Sequence, residues 1–154
     1  VYIFGAGHIA QPLSSMAKIA GFGVTVVDDR PTFANDERFP EADKVFDEGF
    51  EEAFSQFSIS KYSFIVVVTR GHLHDQHVLK WALGTDARYI GMIGSKRKIK
   101  TVYKNLQEEG IPEGEFKRVH APIGLDIGAE TPEEIAVSIL AEMVQIHKGA
   151  VKED

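Results

Sequence analysis

The residues that could do chemistry begin at position 5. Gly5-Ala6-Gly7-His8-Ile9-Ala10 follows a short apolar run, Val1–Phe4, and opens a stretch with helical spacing. This is the G-x-G-x-x-G/A pattern. Its first glycine permits a tight turn, and its second lets a pyrophosphate approach the backbone at a helix N-terminus. A small third residue allows close helix–strand packing. Gly5, Gly7, His8 and Ile9 are thus candidate contacts to a phosphate-bearing ligand. Such a site needs an acid at the end of the next strand, ~20 residues on, to bond a ribose hydroxyl. Asp28 stands there, and Asp29 takes its place if the strand runs one residue further. Arg30 could meet a 2′-phosphate or another anion. The alternative is that it pairs with one of the two acids.

Three later segments carry polar groups of the same kind. Thr69-Arg70-Gly71-His72-Leu73-His74-Asp75-Gln76-His77 is dense in imidazoles. Zinc would need three or four converging ligands, and the chain has no cysteine to supply any. A ligand-facing loop through Thr69, Gly71, His72, His74 and Asp75 is the better expectation, the alternative being side chains that cap a helix start. Gly94-Ser95-Lys96-Arg97-Lys98 opens a helix with cations, against its own dipole. An anion bound by Ser95, Lys96 and Arg97 would offset that, the alternative being solvated or paired side chains. In His120-Ala121-Pro122-Ile123-Gly124-Leu125-Asp126-Ile127-Gly128, Gly124 and Asp126 either touch a ligand or form a tight turn in which Asp126 bonds its own backbone. No residue is assigned to catalysis or to a metal.

These segments need strands and helices to hold them. Val1–Phe4 and the apolar run Val24–Asp28, closed by an acid, read as strands, and the non-alternating run Phe64–Thr69 suits a parallel strand buried on both faces. Lys44–Asp47 reads as a weak strand, Arg88–Ile93 as a strand and Val119–Pro122 as a short strand. Helical periodicity predicts helices over Gly7–Ala20, Gly49–Phe57, His72–Leu83 and Ser95–Glu109. Thr131-Pro132-Glu133-Glu134 is a capping box with proline at the first helical position, and its helix ends near Gly149. Arg30–Pro40 reads as a loop. Alternating β and α elements predict an α/β fold: a Rossmann-like, doubly wound, mostly parallel sheet of about six strands with helices on both faces. Ligands in such folds bind beyond the carboxyl ends of the strands, and every candidate residue above follows a strand.

Composition sets the outer bounds. The 154 residues suit a single domain, 1–154, with 44% apolar and 26% charged residues. A net charge of −6 is a poor basis for general nucleic-acid binding. No apolar run reaches the ~18 residues of a membrane helix, and no basic leader precedes the first apolar run. The expected location is the cytoplasm. Without an initiator methionine, and with Val1 already in a strand, the segment is expected to come from a longer protein with a further N-terminal part.

Four separated segments together resemble a known family. Gly5–Pro12, Val26–Pro31, Ile90–Lys98 and His120–Gly128, followed by Thr131–Ala136, are similar to the C-terminal Rossmann-like domain of the xanthine dehydrogenase accessory proteins (XdhC/CoxI). The similarity runs from Val1 to about Met143. The resemblance implies a chaperone-like role more than a turnover enzyme. The domain would bind the molybdenum cofactor, as molybdopterin or its cytosine dinucleotide form. It would help insert the cofactor, sulfurated, into a xanthine dehydrogenase-type apoenzyme, with a sulfur-donating desulfurase as a second partner. The family's N-terminal domain, which carries a cysteine, has no counterpart here. A cysteine-free segment holds neither a persulfide nor a thiolate bond to molybdenum. The competing expectations are an NAD(P)-binding oxidoreductase domain and a nucleotide-sensing module. Pairing of two copies through an apolar helix face is compatible with the sequence.

Overall fold

The computed structural model describes residues 1–150. Six strands form one sheet: β1 (Tyr2–Phe4), β2 (Thr25–Val27), β3 (Lys44–Phe46), β4 (Phe64–Val67), β5 (Tyr89–Met92) and β6 (Val119–His120). Their spatial order is β3-β2-β1-β4-β5-β6, and every ladder is parallel. Parallel neighbours require crossovers. Helices α1 (Ala10–Ile19), α2 (Phe50–Phe54), α3 (His72–Leu83) and α4 (Lys96–Glu108) lie within them, and α5 (Pro132–Lys148) follows β6.

Both faces of the sheet are covered, which is why the strands read as continuous apolar runs. Phe4, Val27, Ile65, Val67, Ile90 and Met92 pack toward α2, α3 and α4, against Phe50, Val78, Leu79, Val102 and Leu106. Their neighbours Ile3, Val26, Phe64, Val66 and Tyr89 point the other way. They meet α1 and α5 through Ala10, Leu13, Ala17, Ile139 and Met143. The strand order reverses at β1, which pairs with both β2 and β4. A crevice therefore opens between the carboxyl ends of β1 and β4, the topological switch point of a doubly wound sheet.

The expected architecture stands, with local differences. Helix α1 starts at Ala10, not Gly7, because Gly7–Ile9 form turns with no side chain capping the helix start. Helix α2 stops at Phe54, yet Phe57 stays on the core, its ring centroid 4.8 Å from Tyr2 and 5.0 Å from Phe46. A 3-10 helix at Glu113–Arg118, absent from the sequence expectation, buries Phe116 against Tyr103 at 4.4 Å. The capping box is formed as expected. Thr131 Oγ1 accepts from the Glu134 amide at 3.1 Å, and Glu134 accepts from the Thr131 amide at 3.0 Å. The Thr131 amide, and the Glu130 amide that donates to the same carboxylate at 2.9 Å, hold the Glu134 carboxyl below its usual range.

Candidate functional site at the switch point

The glycine turn splits into two roles. Gly5 has φ +112°, and its amide donates to the Val27 carbonyl at 2.8 Å. A side chain there would run into the β4 end, with the Val68 carbonyl carbon 2.6 Å and Thr69 Cα 2.9 Å from its first atom. Gly5 is thus glycine for packing of β1 on β4. Gly7 is different: nothing lies within 4 Å of the place its side chain would occupy. Its backbone borders open space, as close approach of a ligand would require. Half-buried Ile9 and exposed His8 follow it, His8 lining a cleft with Arg38 and Pro132.

The acids at the end of β2 are committed within the chain. Asp28 is only 1% exposed and accepts from the Ala6 amide at 2.9 Å. It also accepts from the Arg30 amide at 3.1 Å and from Arg30 Nε and Nη2 at 2.9 Å each. It ties the glycine turn to β2, where the sequence pattern anticipated an acceptor for ribose. Of the alternatives for Arg30, pairing with Asp28 is what the fold adopts. The guanidinium also lies over the Phe33 ring, 3.8 Å from its centroid. Asp29 reaches across the crevice to Arg70, which donates from both Nη atoms, Nη2 at 2.9 Å.

Chiefly through that hydrogen bond, Arg70 lowers the Asp29 carboxyl from 3.8 to about 2. A carboxyl lowered on folding stabilises the fold fully above its unfolded value. That contribution is lost as pH falls through about 2. The carboxyl carbon of Asp29, followed by NMR, is therefore expected to titrate near 2 in the wild type and to move upward in Arg70→Gln. A wild-type midpoint near 3.8 would show that the pair does not form in solution.

On the other side of the crevice, Asp75 is fully buried. It accepts from the Thr69 amide at 2.9 Å, from Thr69 Oγ1 at 2.5 Å and from the Lys98 ammonium. Lys98 also donates to the Ile93 carbonyl at 2.9 Å. Asp75 therefore locks the loops after β4 and β5 together and presents no surface to a ligand. His72 is exposed beside Gly71. His74 turns toward α2, edge-on to Phe50 at 5.5 Å, and His77 packs on Phe54. Among the described residues no three histidine, aspartate or glutamate side chains converge as metal ligands.

Beyond β5, Gly94 adopts φ +149° and Ser95 caps α4, its Oγ accepting from the Lys98 amide at 3.1 Å. Lys96 and Arg97 are exposed, with no carboxylate within 4 Å among the described residues. Lys96 flanks a cleft of about 450 Å³ that Gly124, Leu125, Asp126, Ile127 and Gly128 also line. Exposed Asp126 forms no hydrogen bond to the chain among the described residues, so it does not hold this turn itself. Glu142 of α5 does so. It accepts from the Gly124 amide at 3.1 Å and from the Tyr89 hydroxyl at 2.6 Å. Burial, and then Glu142, hold that phenol well above its ordinary range.

The parallel sheet thus brings all the candidate segments to one edge, but not into one pocket. A larger groove of about 690 Å³ lies between α2, α3 and α4; Leu73, Gln76 and His77 reach it, but none of the candidate ligand contacts does. Sequence reasoning passed over Arg70, Arg38 and Glu142. Arg70 directly follows Thr69 at a strand end, so position alone could have marked it. Arg38, which donates to the carbonyls of Ala6 and Phe33, leaves no local signal. Glu142 is an acid one residue from Met143 on the buried stripe of α5.

A fully parallel sheet in this order, with a glycine turn and paired strand-end arginines at its switch point, defines a Rossmann-type domain. Residues 1–143 match the family model described as the XdhC Rossmann domain, and the chain belongs to that family. It is 36% identical over 146 residues to a protein of Bacillus subtilis described as a probable xanthine dehydrogenase subunit, covering 95% of this chain and 42% of that protein. It is 33% identical over 149 residues to the protein YqeB of Escherichia coli, covering 96% of this chain and 27% of the relative. A crystal structure described as a xanthine dehydrogenase from Bacillus halodurans superposes with a TM-score of 0.83 at 34% identity, over 98% of this chain and 43% of that one. The chain spans less than half the length of these relatives.

Proposed function

We propose that this domain binds the molybdenum cofactor, as molybdopterin or its cytosine dinucleotide form. It helps pass the cofactor, sulfurated, to the apoenzyme of a xanthine dehydrogenase-type hydroxylase in the cytoplasm. The carrying observation is membership of the XdhC family over residues 1–143, joined to a strand-end edge rich in unspent donors. The residues fit the anionic part of such a cofactor. Gly7 borders open space, and Lys96 and Arg97 face solvent without carboxylate partners among the described residues. Ser95 and the first amides of α4 would complete the second anionic contact. His72 at the start of α3, and Gly124 and Asp126 on the loop after β6, stand at the same edge, where the pterin would lie.

The chemistry the cofactor supplies is redox catalysis within the client enzyme. The domain's own part is to hold the anion, orient the pterin and release both. No cysteine lies in these residues, so the sulfur must come from elsewhere, through a desulfurase partner. Released molybdenum cofactor should bind the purified chain without competition from NADH. The Ser95→Ala/Lys96→Ala/Arg97→Ala variant should retain it at least tenfold more weakly, about 1.4 kcal/mol. Unchanged retention in that variant would remove the placement. NADH binding without cofactor binding would favour a nucleotide sensor or an oxidoreductase domain instead.

A further inference from the structure

We propose that Arg30 and Arg70 form a phosphomonoester site at the switch point. Asp29 acts as the internal anion that a ligand phosphate displaces from Arg70. The inference rests on the reading that a phosphate-bearing cofactor occupies this edge, and it specifies the group recognised there.

The first observation is the state of Asp28. A ribose diol would need this carboxylate as acceptor. To reach it, the diol would have to break the bonds from the Ala6 amide and from Arg30, inside a 1% exposed position. An unphosphorylated ribose therefore finds no free acceptor in Asp28, and Asp29 is already held by Arg70. What the crevice offers instead is donors. Arg30 is held by Asp28 through Nε and Nη2 and lies over Phe33. Its Nη1 has no partner among the described residues, and the side chain is 29% exposed.

The second observation is the contrast between the two ion pairs. Asp28–Arg30 is buried on its acidic side, whereas Arg70 and Asp29 are 36% and 30% exposed. Arg70 holds Asp29 through both Nη atoms, the fork geometry that also fits phosphate. Exposed pairs of this kind hold weakly. A phosphate dianion facing two guanidiniums carries more charge than the carboxylate it replaces. Arg38 adds a third guanidinium, bonded to the Ala6 and Phe33 carbonyls and Gln11. Arg30 and Arg70 balance Asp28 and Asp29, while Glu37 and Glu41 line the cleft of Arg38, so the phosphate gains by taking the place of Asp29 on Arg70. Two ligands bear the required group: the terminal phosphate of the pterin cofactor and the 2′-phosphate of a nucleotide.

Calorimetric titration of the chain tests this with two matched pairs. One is adenosine 2′-monophosphate against adenosine. The other is released pterin cofactor before and after phosphatase treatment. At least tenfold preference for the phosphorylated member is expected in one pair, and that pair identifies the source. The preference should vanish in Arg70→Gln. In Asp29→Asn the favoured ligand should bind at least threefold tighter, a gain that a merely structural aspartate would not produce. Equal binding within both pairs, or a preference that survives in Arg70→Gln, overturns the proposal. Cofactor that binds equally with and without its phosphate, while the nucleotides do not differ, overturns this inference and leaves the proposed function intact. Nucleotide preference without cofactor binding overturns the proposed function and supports this site. No binding of any probe overturns both.

Discussion

Replacing Gly5 by alanine is expected to destabilise the fold severely, whereas Gly7→Ala leaves it intact. The two glycines look equivalent in the motif. Gly5, however, combines φ +112° with contact between β1 and the backbone after β4. A positive-φ side chain there costs about 1–3 kcal/mol in backbone strain. Forcing its first carbon against main chain adds roughly 1–3 kcal/mol or more, since Val68 and Thr69 cannot move without unpairing the central ladder. About 4 kcal/mol is a large share of the ~5–15 kcal/mol that holds a typical domain. For a domain of this size it lowers Tm by roughly 8–16 °C. At Gly7 no neighbour lies within 4 Å, so the alanine variant should melt close to the wild type. Its cofactor retention should fall instead. Circular-dichroism melting separates the two roles, and a Gly5→Ala variant that melts with the wild type would disprove the packing role.

Removal of the Asp75 carboxylate is expected to have the second largest effect. In Asp75→Ala, Lys98 loses its only carboxylate partner among the described residues, and the Thr69 amide and hydroxyl lose their acceptor. Deleting one member of a buried pair costs about 3–5 kcal/mol, because the remaining charge is stranded. Asp75→Asn keeps an acceptor for Thr69 and should lose less. The double variant Asp75→Ala/Lys98→Met removes both charges and should recover part of the loss, giving a favourable coupling in a double-mutant cycle. Urea denaturation of these variants, of Lys98→Met and of the wild type measures this. A loss under about 1 kcal/mol in Asp75→Ala would show that the loops after β4 and β5 are held by other contacts.

Much of the fold was legible because the central strands are covered on both faces. Ile3 and Phe4, Val26 and Val27, and Phe64–Val67 are apolar at every position, which distinguishes a parallel core from a half-exposed sheet. Thr131 and Glu134 announced the start of α5 because capping is local, satisfied within three residues. The 3-10 helix at Glu113–Arg118 was not legible. It carries little periodicity and exists to seat Phe116 on Tyr103, a tertiary contact.

For the site, the strand-end rule located the segments but not their bonds. By itself the sequence determined the order of elements, the glycine turn after β1, the acids after β2 and the cations opening α4. These follow from periodicity, turn chemistry and the direction of a parallel sheet. Only the tertiary structure decided which charge meets which. Asp29 pairs with Arg70 across 41 residues, and Asp75 with Lys98 across 23. Those partners became neighbours because β2 and β4 flank β1 and β5 lies beside β4. Burial then forced each carboxylate to accept from whatever donors that strand order had brought within reach. The same enclosure turned Asp28 inward to the glycine turn and left arginines facing the crevice.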